Sequence, residues 1–234
     1  MFNALFYQPL YNALVYLSSI VPGNNIGLAI ILLTLLVKIV LLPLYHKAAT
    51  TQAKMRKIEP EINRLKDLHK DNKEELAKKT LELYRLHQVN PFLSIVIIFI
   101  QLPILIALFY VFQNNFVFEP KLLYSFVTVP PHLVTTLWGI SMTAKSIVLA
   151  VLTGLTQFVQ MQIALPKLAK PETGKADSFK DDFARSMNLN MKYFMPVLIA
   201  FFAYNLSSAI GLYWVTSNIF SIGQEIYVRL KIKK

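Results

Sequence analysis

The chain has no cysteine, only seven glycines and, across its first 25 residues, no charged side chain. Each absence excludes something. Without cysteine there is neither a disulfide framework nor a thiolate metal site. The four histidines, His46, His69, His87 and His132, show no metal-ligand spacing with one another, so no metal is expected. A Gly-rich phosphate loop and a nucleophile elbow are both missing. The chain does not read as an enzyme, and no cofactor is expected. The N-terminus also lacks the basic n-region of a cleavable signal peptide, so removal of a leader is not expected.

What the chain has is apolar sequence in blocks. Of its 234 residues 55% are hydrophobic and 16% charged, and the mean hydropathy is +0.46. Blocks of about 20 apolar residues read as membrane spans, and in lipid such spans must be helical to satisfy their own backbone. Five are expected, over residues 26–45, 91–113, 138–165, 191–206 and 210–228, with a later start near Lys145 as the alternative for the third. Residues 207–209 form the tight turn between the last two. The fold class that follows is an all-α membrane protein.

Net charge is +11, and its placement matters more than its sum. Residues 46–90 carry eleven Lys/Arg. Residues 166–190 add Lys167, Lys170, Lys175, Lys180 and Arg185, with Lys192 at the edge of the fourth span. The tail, 229–234, adds Arg229, Lys231, Lys233 and Lys234. The opposite side has only Lys121 and Lys145. An asymmetry of about ten to one orients the chain as a multi-pass membrane protein with its N-terminus outside and its C-terminus in the cytoplasm. Basic residues here are mixed with acids, so sequence-specific nucleic-acid binding is not expected.

Between the spans, residues 1–25 place Phe2, Phe6, Leu10, Ala13, Leu14 and Leu17 on one helical stripe, away from Asn3, Tyr7, Tyr11 and Asn12. Such a helix lies either at the outer membrane interface or packed beneath the outer loop 114–137. In 46–90, Met55, Ile58, Ile62 and Leu65 form one narrow seam and Leu76, Thr80 and Leu83 another, with a break at residues 69–73. That pattern predicts a cytoplasmic coiled-coil hairpin, weakened at Pro60. The polar stretch around Pro171-Glu172-Thr173-Gly174 reads as a mobile connector.

Polar residues inside the spans need a reason, since a central lysine costs about 2.5–3.5 kcal/mol. Lys38 has Thr34 one turn before it. Gln101 precedes Pro103; Thr153, Gln157 and Gln160 share a face; Asn218, Ser221 and Glu225 follow at spacings of three and four. Converging faces would line a wet cavity with Lys38 as its fixed positive charge. Lys38 counted back from Tyr45 lies roughly 10 Å from the cytoplasmic end. Two plainer readings stay open: Lys38 snorkelling to the headgroups or pairing with Glu225, and the amides acting as interhelical hydrogen-bonding glue.

Several short stretches, taken in order, resemble the YidC-type membrane protein insertases and their mitochondrial and chloroplast relatives. They are Tyr7-Gln8-Pro9-Leu10; the charged residue of the first span followed by Leu42-Pro43-Leu44; Ala53-Lys54-Met55-Arg56 with Pro60; Val89-Asn90-Pro91; Gln101-Leu102-Pro103-Ile104 with Ala107-Leu108-Phe109-Tyr110; Met195-Pro196; and Gly211-Leu212-Tyr213-Trp214 through Ser217-Asn218. The resemblance implies a five-helix core with a hydrophilic groove open to the cytoplasm and to lipid but closed outside. It assigns the groove to Lys38, Thr34, Gln101, Gln157, Gln160, Asn218, Ser221 and Glu225, and substrate recruitment to a mobile hairpin bearing Lys54, Arg56, Lys57 and Arg64. The family's groove residue is usually arginine. Lysine is a point charge without the guanidinium fork, which changes how an acidic segment would be held.

The function implied is insertion and chaperoning of nascent membrane proteins, with membrane lipid, the Sec translocase and the ribosome as candidate partners. A small-solute or ion transporter could use the same polar residues, but the sequence shows no inverted repeat. A scaffold binding a partner through the hairpin would leave the buried polar residues unexplained.

Overall fold

The computed structural model describes residues 1–70, 72–90, 93–165 and 186–233. The expectation for residues 171–174 lies outside them. The described chain is almost entirely helical, as the apolar blocks require. A π-helical turn, Asn3–Tyr7, leads into α1 (Gln8–Ile20), followed by α2 (Ile26–Val40), α3 (Leu42–Leu68), α4 (Lys73–Leu86) and α5 (Leu93–Gln113). Then come a hairpin of two-residue strands, β1 (Thr136–Leu137) and β2 (Ile140–Ser141), α6 (Ile147–Ala164), a second π-helical turn at Asn190–Phe194, α7 (Met195–Asn205) and α8 (Ser208–Lys233). Two compact units form: Met1–Val40 with Leu102–Gly223, and Leu41–Gln101 with Gln224–Lys234.

In the first unit, α1 departs from the expected stripe. Tyr11 and Asn12, placed off that stripe by the sequence pattern, are each only 2% exposed. Their partners explain it. The Asn12 amide donates to the Leu122 carbonyl (2.9 Å) and accepts from the Tyr124 N–H (2.6 Å), while the Tyr11 hydroxyl accepts from the Glu119 N–H. Gln8 also donates to Leu122, and the Tyr11 ring meets Phe118 edge-on with centroids 5.4 Å apart. Of the two placements open for residues 1–25, α1 packs against the loop after α5. A buried amide that makes its hydrogen bonds is tolerated where an unpaired one is costly.

The third apolar block does not begin as a helix. Trp138 and Gly139, both at positive φ, make the two-residue turn of the β1–β2 hairpin, and α6 starts only at Ile147 behind Ser146. Ser146 is the helix cap, its hydroxyl accepting from the Leu149 N–H, which is why helix begins there and not at residue 138. The strap around this hairpin also terminates two other helices. Val134 C=O accepts from Ile26 N–H (2.9 Å), at the start of α2. Ala144 C=O accepts from Ser208 N–H (2.8 Å) and Met142 C=O from Ala209 N–H (3.1 Å), at the start of α8. The first N–H groups of a helix have no partner within it, and the strap supplies them. Helix α8 thus begins inside the expected 207–209 turn.

Helix α6 packs along α7 and meets the start of α8 through small residues. A Cβ on Gly154 would lie 3.0 Å from the Ala200 Cβ and 3.3 Å from the Pro196 carbonyl oxygen. One on Gly211 would lie 3.2 Å from the Leu149 Cβ. The bare backbone at Gly211 lets its carbonyl accept from the Thr153 hydroxyl at 3.2 Å, and small residues bring membrane helices this close.

The expected first span, 26–45, is not one continuous helix. It breaks at Leu41, and α3 starts at Leu42 with Pro43 in its first turn. Pro43 has no N–H to give and its ring would collide with the carbonyl four residues back, so α2 cannot run through it. In the second unit, α3 and α4 pack against each other. Helix α3 continues past Pro60, and Ile58 is the buried member of its seam at 2% exposed. Asn72 caps α4 by accepting from Glu75 N–H (3.1 Å), and His87 sits 3.6 Å from Glu61.

The close approach at Gly154 predicts that Gly154→Val destabilises the protein by about 1–3 kcal/mol through overpacking. Gly223, where a Cβ would meet nothing within 4 Å, predicts the opposite. Gly223→Ala should stabilise α8 by about 0.5–1 kcal/mol. Thermal unfolding of both variants in detergent micelles checks the pair.

Candidate functional site

In the first unit, α2, α6 and α8 carry the polar residues expected to share a cavity, and hydrogen bonds link them. Lys38 lies in the last turn of α2 and is 6% exposed. Its Nζ donates to the Ser221 Oγ on α8 at 3.1 Å, and the Ser221 hydroxyl donates to the Ser217 carbonyl at 2.9 Å. One turn earlier in α8, the Asn218 amide donates to the Thr156 Oγ on α6 at 3.2 Å. Asn218, Ser217 and Gln157 are 5%, 8% and 8% exposed, and Gln160 is half-buried. Thr34, on the face of Lys38, donates to the Ile30 carbonyl at 2.7 Å.

The break at Leu41 changes the depth argument for Lys38. A straight helix to Tyr45 would bury the ammonium two turns deep; the helix instead ends two residues beyond Lys38. A cation in a final turn meets the unsatisfied carbonyls and the negative end of the helix dipole. The helix end and Ser221 together answer why lysine is tolerated there.

Gln101 and Glu225 belong to the second unit. Gln101 accepts from the Tyr45 hydroxyl. Glu225, 7% exposed, takes both Arg56 (Nη2 to Oε1, 3.1 Å) and Arg229 (Nε to Oε1, 3.4 Å) on one carboxylate oxygen. Arg56 is itself half-buried. Burial pushes its guanidinium down from the usual range while the bond to Glu225 holds it up. Of the other hairpin cations, Lys54 is half-buried, and Lys57 and Arg64 are exposed.

Sequence reasoning missed Thr156 and the burial of Lys192. Thr156 went unnoticed because hydroxyls within apolar runs are common and usually bond back to their own helix, as it also does to Leu152. Ser217 enters the network through its backbone carbonyl, which no residue type marks. Lys192, taken as an edge residue, is 8% exposed within the π-helical turn. Its signal was available: a basic residue one position inside the apolar run.

Taken together, these features define a helical membrane protein whose polar residues join α2, α6 and α8. The family described as "60Kd inner membrane protein" matches residues 16–234. A relative from Clostridium tetani (strain Massachusetts / E88), named "Membrane protein insertase YidC", is 33% identical over 216 residues, covering 92% of this chain and 87% of its own. Relatives of the same name from Francisella tularensis, subspecies novicida (strain U112) and tularensis (strain WY96-3418), are 34% identical over 202 residues, 86% of this chain. The aligned region spans only 32% of those longer proteins. The chain belongs to the 60Kd inner membrane protein family, with YidC-type insertases as its relatives.

The double engagement of Glu225 predicts that Glu225→Gln weakens the hold of α3 on the end of α8. Charge-assisted hydrogen bonds contribute about 1.5–3 kcal/mol each when well buried, and partial exposure lowers that. The loss should be about 1–2 kcal/mol, seen as faster amide exchange in α3 without loss of helix content.

Proposed function

We propose that this protein is a membrane protein insertase that receives nascent membrane proteins and releases their hydrophobic segments into the bilayer. The observation that carries the reading is Lys38, 6% exposed in an apolar helix yet hydrogen-bonded to Ser221. A buried cation on a polar network offers a translocating polar tail an alternative to bulk water. Lys38, Thr34, Gln157, Gln160, Asn218 and Ser221 line the proposed groove, with Thr156 and Ser217 added to them. Gln101 and Glu225 act in the second unit, where Glu225 steadies the hairpin through Arg56.

Five membrane crossings are proposed, with the N-terminus outside and the C-terminus in the cytoplasm. Helix α6 is by itself long and apolar enough to cross a bilayer. The exposed faces of α6 and α7, including Leu155, Val197 and Phe201, supply the apolar surface along which a substrate helix slides into lipid. The α3–α4 hairpin, through Lys54, Lys57 and Arg64, receives the substrate from the cytoplasm, with the Sec translocase and the ribosome as partners. No bond is made or broken. An acidic tail gains about 2.3 kcal/mol per charge from a 100 mV membrane potential as it leaves. The transporter reading receives no support from the relatives.

Purified protein in proteoliposomes, given a single-span substrate with a short acidic N-tail, tests this through protease protection of the tail. Lys38→Ala should lower protection several-fold and Lys38→Arg should keep it, at unchanged protein stability. Protection that stays at wild-type level with Lys38→Ala would remove Lys38 from the groove. No protection with stable wild-type protein, accompanied by solute flux, would overturn the insertase reading.

A further inference from the structure

One cavity lies away from the Lys38 network. It is an open cleft of about 410 Å³ in the first unit, walled by Phe2, Asn3 and Tyr7 at the start of the chain and by Tyr110 and Asn114 at the end of α5. Its volume falls within the range of small-molecule sites, about 300–1,000 Å³. Two of its walls, Asn3 and Tyr7, are the ends of the π-helical turn. Such turns are frequent at functional sites because the extra residue re-aims side chains. The π-helical turn runs straight into α1, which Gln8, Tyr11 and Asn12 tie to residues 119–124.

The chemistry of the lining is narrow. Three aromatic rings face the space together with two carboxamides, and none of the five side chains is charged. Glu119 and Lys121, the charged side chains of the adjoining loop, hold each other at 2.9 Å. Burial and the Glu119 carboxylate raise the Tyr7 phenol above its usual range, so it stays neutral. An anionic headgroup would find no cation here. A pyranose suits the lining: its polarised C–H face lies against π-faces, and its hydroxyls pair with amide donors and acceptors.

We propose that this cleft binds a neutral hexose, presented as the headgroup of a glycosyl diacylglycerol. The first 25 residues carry no charged side chain, so this end of the molecule suits contact with lipid. The proposal concerns a surface separate from Lys38 and does not depend on insertion activity.

Native mass spectrometry of the full chain released from micelles tests it, using monoglucosyl diacylglycerol, phosphatidylglycerol and diacylglycerol at equal concentration. The glucolipid should be retained about tenfold better than the other two, equivalent to about 1.4 kcal/mol. Asn114→Ala and Tyr110→Ala, both at exposed positions, should each remove most of that preference. Phe201→Ala on α7 should leave it intact. Should either cleft variant unfold, a photoreactive glucolipid that labels the wild-type cleft peptides supplies the same answer. Competition by free methyl glucoside supports recognition of the sugar whatever carries it; glucolipid retention without such competition supports the lipid-borne source. Equal retention of all three lipids, or a preference untouched in both cleft variants, overturns the proposal.

Discussion

A polar group taken out of water must find a partner, and the first unit is organised around that demand. Its three central helices are joined where polar atoms meet: Lys38 with Ser221, Asn218 with Thr156, and Thr153 with the Gly211 carbonyl. Between helices in lipid, apolar contact supplies no hydrophobic driving force, since the lipid is as apolar as leucine. Specific hydrogen bonds and close backbone approach then decide which helices pair and in what register. The glycines at positions 154 and 211 belong to the same arrangement, because they bring backbones near enough for a threonine hydroxyl to reach a carbonyl on the next helix.

The second unit applies the same rule to a different problem. Glu225 would be costly if left alone at 7% exposed, and two arginines share the task of compensating it. One comes from its own helix and the other from α3, 169 residues away in sequence. The unequal burial of the hairpin cations follows. Arg56 is drawn into the ion pair, whereas Lys57 and Arg64 remain at the surface. A single basic hairpin thus contains cations of two kinds, one drawn into a buried ion pair and others at the surface.

Much of this was legible in the sequence, and the parts that were not share a cause. Lys38, Asn218 and Ser221 stood out by helical spacing inside apolar runs, and hydrogen bonds join them across helices, whereas Thr34 bonds back to its own helix. The break at Leu41 was written in Pro43 but hidden under continuous hydrophobicity, whereas the later start open for the third span, near Lys145, lies beside the Ser146 cap. Tyr11 and Asn12 were misplaced because their partners, Glu119, Leu122 and Tyr124, lie about 110 residues away. No local period encodes such pairing. Arg56 with Glu225 is the same case: each looked like a solvated or groove charge until the other was beside it.

The strap that runs from Val134 to Ala144 completes the starts of α2 and α8 with its own carbonyls. Main-chain oxygens are the same whichever residue carries them. Evolution is therefore free to rewrite most side chains of this strap while the helices it terminates stay where they are. Its length and turn, more than its residue identities, are the heritable trait.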